Sequence, residues 1–366
     1  MTGNGQIHTK RVAILIEQNV EDAEFQIPYN ALRKAGAGVV VLGSRVNEDY
    51  KGKQGKLSMK ADGTTTEARA SDFDAVIIPG GFAPDRMRTN MKTVRFVQDA
   101  LEQNIIVAAV CHGPQVLIEG DLLRGREATG FRAIRKDMQN AGAEFIEQPL
   151  VVDSNLVTSR RPGDLPIFTT AILNMLGLNV PDTTLPDIND MDAGWWKLGE
   201  EWGGSSKREI VDAINTAIAG ERYGQEIFEH YINQATEPDV QTILEGIRDG
   251  KTHNIEQLEA RLDVLGERES IRASVSSTYA NLKARLQNTD NDVEILRRAL
   301  GDLQTGVVDI YNLRNKLTDP ATVAIFEQME VDLAYHEQYV ADLYQARLKA
   351  DAIKPPHPTS GAAVTA

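Results

Sequence analysis

The sequence is short of the residues that cross-link a chain. It holds one cysteine, Cys111, in 366 residues. No intrachain disulfide can form, so a disulfide-stapled secreted scaffold is excluded, and a lone thiol fits a reducing compartment. It also lacks long apolar runs. None reaches 18 residues, which excludes a transmembrane helix, and residues 1–10 (MTGNGQIHTK) carry no apolar core of a signal peptide. The expected location is therefore the cytoplasm. Positive charge is scarce too: 39 Lys and Arg stand against 53 Asp and Glu, a net −14, which disfavours nucleic acid and anionic membranes as partners. Aromatic residues make up only 6%, and all three tryptophans fall between positions 195 and 202.

What is present points to two domains, the better prior at this length. From Arg11 to Leu176, strand-like and helix-like segments alternate. Arg11–Glu17, Gly38–Gly43 and Phe73–Gly81 read as strands. Residues 21–35 and about 89–103 read as helices, the first stopped by Gly36. Residues 44–70 are polar and Gly-rich, a hairpin or loop excursion. Gln148–Val152 and Leu156–Ser159 flank a turn. Such alternation specifies an open, mostly parallel sheet with helices on both faces and a site beyond the carboxyl ends of the strands.

The first domain is organised around Asn104–Pro114, NIIVAAVCHGP. Its apolar run Ile105–Val110 suits a strand buried on both faces, and a helical pattern begins at Gln115. A strand that stops, presents one nucleophile between small residues and enters a helix is a nucleophile elbow, here with Cys111 as the nucleophile. A helix N-terminus next to the thiol predicts a depressed pKa. The competing reading of Cys111 is a buried structural cysteine.

The motifs E-x-x-x-P (Glu24–Pro28), PGG (79–81), APDR (83–86), AVCHGP (109–114), LLRGREATGF (122–131) and VTSRRPGDLP (157–166) together resemble the DJ-1/PfpI superfamily over about residues 10–176, in its branch of PfpI-type peptidases and stress-associated glyoxalases or deglycases. The resemblance implies a flavodoxin-like sandwich that assembles as a dimer or a ring of dimers. It makes Cys111 the nucleophile and Glu24 the carboxyl that hydrogen-bonds the thiol, with Glu21 a weaker candidate. Gly81 and His112 become the oxyanion donors. His112 is also the histidine beside the nucleophile, and Asp85 the acid that orients it from a neighbouring subunit. Gly80 and Arg160 become substrate-side positions. Glu24 as a solvated helix charge, Asp85 as a loop charge and Arg160 as a structural ion pair are the alternatives. Class I glutamine amidotransferases, which share the fold, draw a histidine from a later strand. None lies between 113 and 229 here, so a base on Cys111 is His112 or Glu24.

Residues 177–206 read as a linker whose tryptophans pack onto one domain; an exposed aromatic patch is the alternative. From residue 207 to 352 four long helical stripes predict a four-helix bundle that resembles ferritin-like domains of bacterial stress-associated proteins. Thr236-Glu237-Pro238 and Thr318-Asp319-Pro320 mark two helix starts 82 residues apart, the sign of repeated helical hairpins. Ser270–Leu286 looks like an amphipathic helix in the middle connection. Glu221 and His336 lie on apolar stripes, but Leu333 and Gly250 stand where carboxylate ligands would be needed, so no metal and no other cofactor is expected. Residues 1–10 and 353–366 read as disordered.

The function expected is a cysteine-dependent enzyme acting on a peptide amide or a small reactive aldehyde, assembled as a homo-oligomer, without nucleic-acid or membrane partners. The alternatives are a redox sensor or holdase in which Cys111 becomes a sulfinic acid held by Glu24, and a metal-handling role for the bundle.

Overall fold

The computed structural model describes residues 9–269, 289 and 291–353. The expected helix over Ser270–Leu286 and most of the expected disordered termini lie outside those residues. Two compact units emerge. The first holds the chain up to Ile210 together with Asn315–Val323, and the second holds Val211–Arg314 and the chain from Ala324 onward.

The first unit begins with β1 (Arg11–Leu15), α1 (Asp22–Lys34) and β2 (Gly38–Gly43). The polar excursion follows as β3 (Asp49–Lys51), β4 (Ser58–Lys60) and β5 (Gly63–Thr64). β3 and β4 form an antiparallel pair of their own. Next come β6 (Ala75–Ile78), α2 (Ala83–Met87), α3 (Met91–Glu102), β7 (Ile106–Val110) and α4 (Pro114–Glu119). The two-residue strands β8 (Glu127–Ala128) and β9 (Glu144–Phe145) flank α5 (Arg135–Asn140). β10 (Leu150–Asp153), β11 (Leu156–Ser159), α6 (Leu165–Leu176) and α7 (Trp195–Glu201) complete it.

Seven strands form one sheet in the order β10-β11-β7-β6-β1-β2-β5. Every neighbouring pair is parallel except the β10–β11 hairpin. The chain moves one way from β1 to β2 and the opposite way from β6 to β7. Right-handed crossovers then place α1 and α3 on opposite faces. The order therefore reverses between β1 and β6, the switch point where an open sheet leaves a crevice. Strand interiors such as Val12–Leu15, Ala75–Ile78 and Val107–Val110 are buried, as a sheet covered on both faces requires.

The expected linker belongs to the core of this unit. Trp195, Leu198 and Trp202 are buried in it. Asn30 Nδ2 donates to the Trp202 carbonyl at 2.9 Å, and the Trp195 indole N–H donates to the Asp190 carbonyl at 2.8 Å. A second departure from the expected division is the turn 315–323. Thr318 N–H donates to Ser205 Oγ at 3.0 Å and Ser205 N–H donates to Thr318 Oγ1 at 2.8 Å. Val323 packs against Gly163, where a Cβ would lie 2.7 Å from its Cγ1.

The helices that build the second unit are α8 (Lys207–Gln234), α9 (Pro238–Val264), α10 (Asp292–Arg314) and α11 (Pro320–Ile353). α8 opens on a capping box, with Ser206 N–H donating to Glu209 Oε2 at 2.8 Å and Glu209 N–H to Ser206 Oγ at 3.2 Å. Side-chain pairs fix the directions. Arg222–Glu259 and Arg248–Glu229 make α8 and α9 antiparallel. Gln304–Glu337 and Arg314–Glu330 do the same for α10 and α11, and Arg347–Asp239 with His336 against Gly250 for α9 and α11. α9 and α10 consequently run the same way, and the longest connection, 265–291, joins them. This is the up-down-down-up order of a ferritin-like bundle.

Candidate active site

β7 delivers Cys111 in a strained turn. Its φ is +60°, left-handed backbone that a non-glycine residue adopts only where the surroundings impose it. Cys111 N–H donates to the Ser159 carbonyl at 2.9 Å, and the Cys111 carbonyl accepts from Phe131 N–H at 2.8 Å. Both peptide groups flanking the side chain are thus fixed. The register Ile78↔Ala109 and Ser159↔Val110 brings the ends of β6 and β11 level with the elbow.

Glu24 reaches the thiol from α1. It is fully buried, and its Oε2 accepts the Gly80 N–H at 2.6 Å. Its other oxygen, Oε1, has no hydrogen-bond donor among the described residues. Burial, then the charge of Glu21, push its pKa up to about 8, so the carboxyl carries a proton at neutral pH and stands as a hydrogen-bonding neighbour of Cys111. Gly80 is what lets these groups meet. A Cβ there would lie 2.7 Å from Glu24 Oε2, 2.8 Å from His112 N and 3.0 Å from Cys111 Cβ. The PGG motif therefore supplies empty space as well as a donor, and the Gly80 N–H, expected on the substrate side, is committed to Glu24.

The depressed thiol pKa is corrected. Burial, followed by the charge of Glu24, raises the Cys111 pKa well above the ordinary 9.0, against a lowering hydrogen bond from the His112 N–H. α4 begins only at Pro114 and has six residues, so its dipole is a weak counterweight. The resting group is a thiol whose ionisation must be coupled to proton removal. An acceptor is adjacent: His112 Nδ1 lies 3.3 Å from Cys111 Sγ. The His112 ring stacks on Phe131, with centroids 4.9 Å apart, which fixes its orientation. Burial and the charge of Lys53 hold the His112 pKa below 6.5, while the charge of Asp85 pulls it upward. Neutral imidazole is the form that accepts a proton. Asp85, on α2, is exposed.

Gly81 sits at φ +73° in an isolated bridge to Val20. Glu21 N–H donates to the Gly80 carbonyl and Phe82 N–H to the Asn19 carbonyl, so the Gly81 N–H takes no part in that pairing. His112 N lies 2.8 Å from where a Gly80 Cβ would stand and Gly81 is the next residue along the chain, so both N–H groups belong to the backbone around Gly80. Such a pair can receive an oxygen as it gains charge.

Two further groups surround these. Glu21 raises the pKa of both Glu24 and Cys111 and pairs with Lys53 Nζ at 3.3 Å. Lys53 also lies over the Phe82 ring, 5.3 Å from its centroid. Its loop is pinned by Asp22, whose carboxylate accepts the N–H groups of Gln54, Lys56 and Leu57 at 2.7 Å each. Nothing in the polar stretch 44–70 marks Lys53 as a site residue, because only the fold brings it to the N-terminus of α1. Arg160 follows β11 next to the elbow and forms ion pairs with Asp164 at 2.9 Å and Glu147 at 3.1 Å. Among the described residues no group of three or more His, Cys, Asp or Glu could hold a metal ion.

Residues 10–175 match the DJ-1/PfpI family. The Bacillus subtilis protein YraA, whose name describes a cysteine protease, is 43% identical over 168 residues, covering 46% of this chain and 99% of the relative. The protein/nucleic acid deglycase 2 of Escherichia coli is 42% identical over 170 residues, again 46% of this chain and 99% of the relative. The similarity extends to the whole molecule in the crystal structure of a two-domain protein from Anabaena variabilis with DJ-1/ThiJ/PfpI-like and ferritin-like domains. It is 55% identical with a TM-score of 0.87, covering 97% of this chain and all of that one. By its sequence over residues 10–175, and by a sheet that carries the family's cysteine elbow, the chain belongs to the DJ-1/PfpI family.

Proposed function

We propose that the first unit is a cysteine-dependent enzyme that adds Cys111 to the carbonyl carbon of a small 2-oxoaldehyde, or of the adduct such an aldehyde leaves on an amine. The observation that carries this reading is the arrangement at Cys111: a thiol held at φ +60° between a protonated carboxyl and a neutral imidazole at 3.3 Å. The thiol proton passes to His112 Nδ1 as sulfur bonds to the aldehyde carbon. The carbonyl electron pair moves onto oxygen, which the Gly81 and His112 N–H groups stabilise and the Glu24 proton neutralises. Glu24, now a carboxylate, takes the C–H proton of that carbon and returns it to the neighbouring carbonyl carbon while the new hydroxyl passes its proton to the neighbouring carbonyl oxygen, leaving a 2-hydroxy thioester on Cys111, and the proton held on His112 restores Glu24 to its acid form. Water cleaves the thioester to a 2-hydroxy acid and restores the thiol, so the net change is addition of one water; an amine adduct enters the same path once its C–N bond breaks and the amine leaves with the hydroxyl proton, regenerating the aldehyde. Cys111 is only 6% exposed, which favours a small electrophile over an extended peptide.

Amide cleavage is the second reading. The same acylation chemistry with His112 protonating the leaving amine would serve it, and the name of YraA supports it. In either case we expect a cytoplasmic homo-oligomer in which Asp85 of one subunit lies near His112 of another. Purified protein assayed with methylglyoxal, glycated amines and peptide amides separates the readings. Cys111→Ser is expected to lose at least about 10²-fold in turnover, because a serine hydroxyl is almost never ionised at neutral pH. Full turnover by that variant would remove Cys111 from the mechanism.

A further inference from the structure

A ferritin-like bundle implies a metal held between its helices by carboxylates and histidines. The residues of this bundle do not fit one. Leu333 lies against Gly306, with its methyl groups 3.4 and 3.5 Å from where a Cβ would stand. His336 packs against the Gly250 backbone instead of a carboxylate, its Nε2 3.6 Å from the corresponding Cβ position. Glu221 remains, on α8, 4% exposed. A carboxylate so deep needs a positive partner.

That partner comes from α9. Lys251, 8% exposed, brings its Nζ to 3.3 Å from Glu221 Oε2. Asn254 Nδ2 approaches the same oxygen at 3.5 Å. The path of the lysine is shaped along its whole length. A Cβ at Gly224 would lie 2.6 Å from Lys251 Cε and 2.9 Å from Nζ, so a larger residue there would push the end of the lysine stem aside. The Phe228 ring stands 5.7 Å from Nζ, within reach of a cation–π contact. Glu221, Gly224 and Phe228 recur at i, i+3 and i+7, on one face of α8. Carboxylate, groove and aromatic face thus form a receptor for one ammonium group.

We infer that Lys251 is the built-in cation of this bundle, supplying to the buried Glu221 carboxylate the positive charge that a metal ion would otherwise have to supply. With Lys251 Nζ and Asn254 Nδ2 both on Glu221 Oε2, the charge of this carboxylate is already balanced, and among the described residues no group of three or more His, Cys, Asp or Glu could join it around a metal ion.

The test uses the full chain. Melting followed by circular dichroism is expected to be unchanged by EDTA and by anaerobic addition of Fe(II), Mn(II) or Zn(II). Lys251→Met leaves a carboxylate buried alone, and Glu221→Gln leaves an ammonium alone. Each is expected to lower the melting temperature of the helical unit by about 10 °C, and the double variant to recover at least half of that loss. Stoichiometric metal by elemental analysis with a raised melting temperature would overturn the inference. So would single variants melting within about 2 °C of the parent, or losses that simply add in the double variant. If the single variants are insoluble, a soluble double variant supports the pairing, and the metal and chelator series on the parent protein still decides.

Discussion

Glu24→Gln should make the protein more stable and less active, and the structure sets the size of the gain. In the folded chain the Glu24 pKa is about 8 against an ordinary 4.5. Between those values the folded chain keeps a proton that the unfolded chain releases, so the unfolded state binds fewer protons and stability falls as pH rises. Below pH 4.5 both states are protonated and the effect is absent. At pH 7 about 2.5 pH units of the interval have been crossed at about 1.4 kcal/mol each, a destabilisation of roughly 3 kcal/mol. Glutamine keeps an oxygen for the Gly80 N–H and an amide donor for the sulfur but does not titrate. At pH 7 the variant is therefore expected to melt about 10 °C higher than the parent, with the difference growing toward pH 8 and vanishing at pH 4. Turnover should fall by about 10²-fold, the usual contribution of a positioned acid–base group. Calorimetry at pH 4, 7 and 8 reads the first effect. A variant no more stable than the parent at pH 7 would refute the view that Glu24 is held protonated by burial.

Alkylation of Cys111 is expected to show its midpoint above the ordinary 9.0, since burial and Glu24 raise its pKa; a midpoint below that value, in rates measured against pH, would restore the helix-dipole account. Turnover should rise with pH along a limb whose midpoint lies below 6.5, where His112 loses its proton; a limb with its midpoint at or above 6.5, lost in His112→Ala, would contradict an imidazole held down by burial and Lys53. A chain ending at Leu176 lacks Trp195, Leu198 and Trp202 from the core. Removing a buried tryptophan alone costs about 3–5 kcal/mol, so it should be insoluble or partly unfolded by circular dichroism, whereas native-like melting would show the segment to be dispensable.

The parts of the fold that are local in sequence were legible there. Ile105–Val110 followed by Cys111 and a helical pattern has one physical solution, a buried strand and an elbow, and Pro238 and Pro320 mark helix starts because proline fits a first turn. The approach of Glu24 was legible only through resemblance, since 87 positions separate it from Cys111 and no periodicity links them. The direction of the thiol pKa is hidden from the sequence for the same reason. Helix position is visible in sequence, but burial and the charge of Glu24, which raise the thiol pKa, are not. The pairing of Glu221 with Lys251 was hidden by the Gly224 groove. A glycine in a helical stripe reads as a weak point until the stem that fills its place is seen.

The turn Asn315–Val323 bears on how the protein is made. It completes the first unit, yet it is translated after more than 100 residues of the second. Ribosomes add about 5–20 residues each second, so the first unit waits roughly ten seconds with Ser205 and Gly163 uncovered while the helices of the second emerge. The usual rule that an N-terminal unit finishes before the next begins cannot hold in full for this chain. Nascent chains arrested before residue 315 should resist protease over Arg11–Leu176 less well than those released past Val323, and the interval between them is when this molecule is most exposed to chaperones.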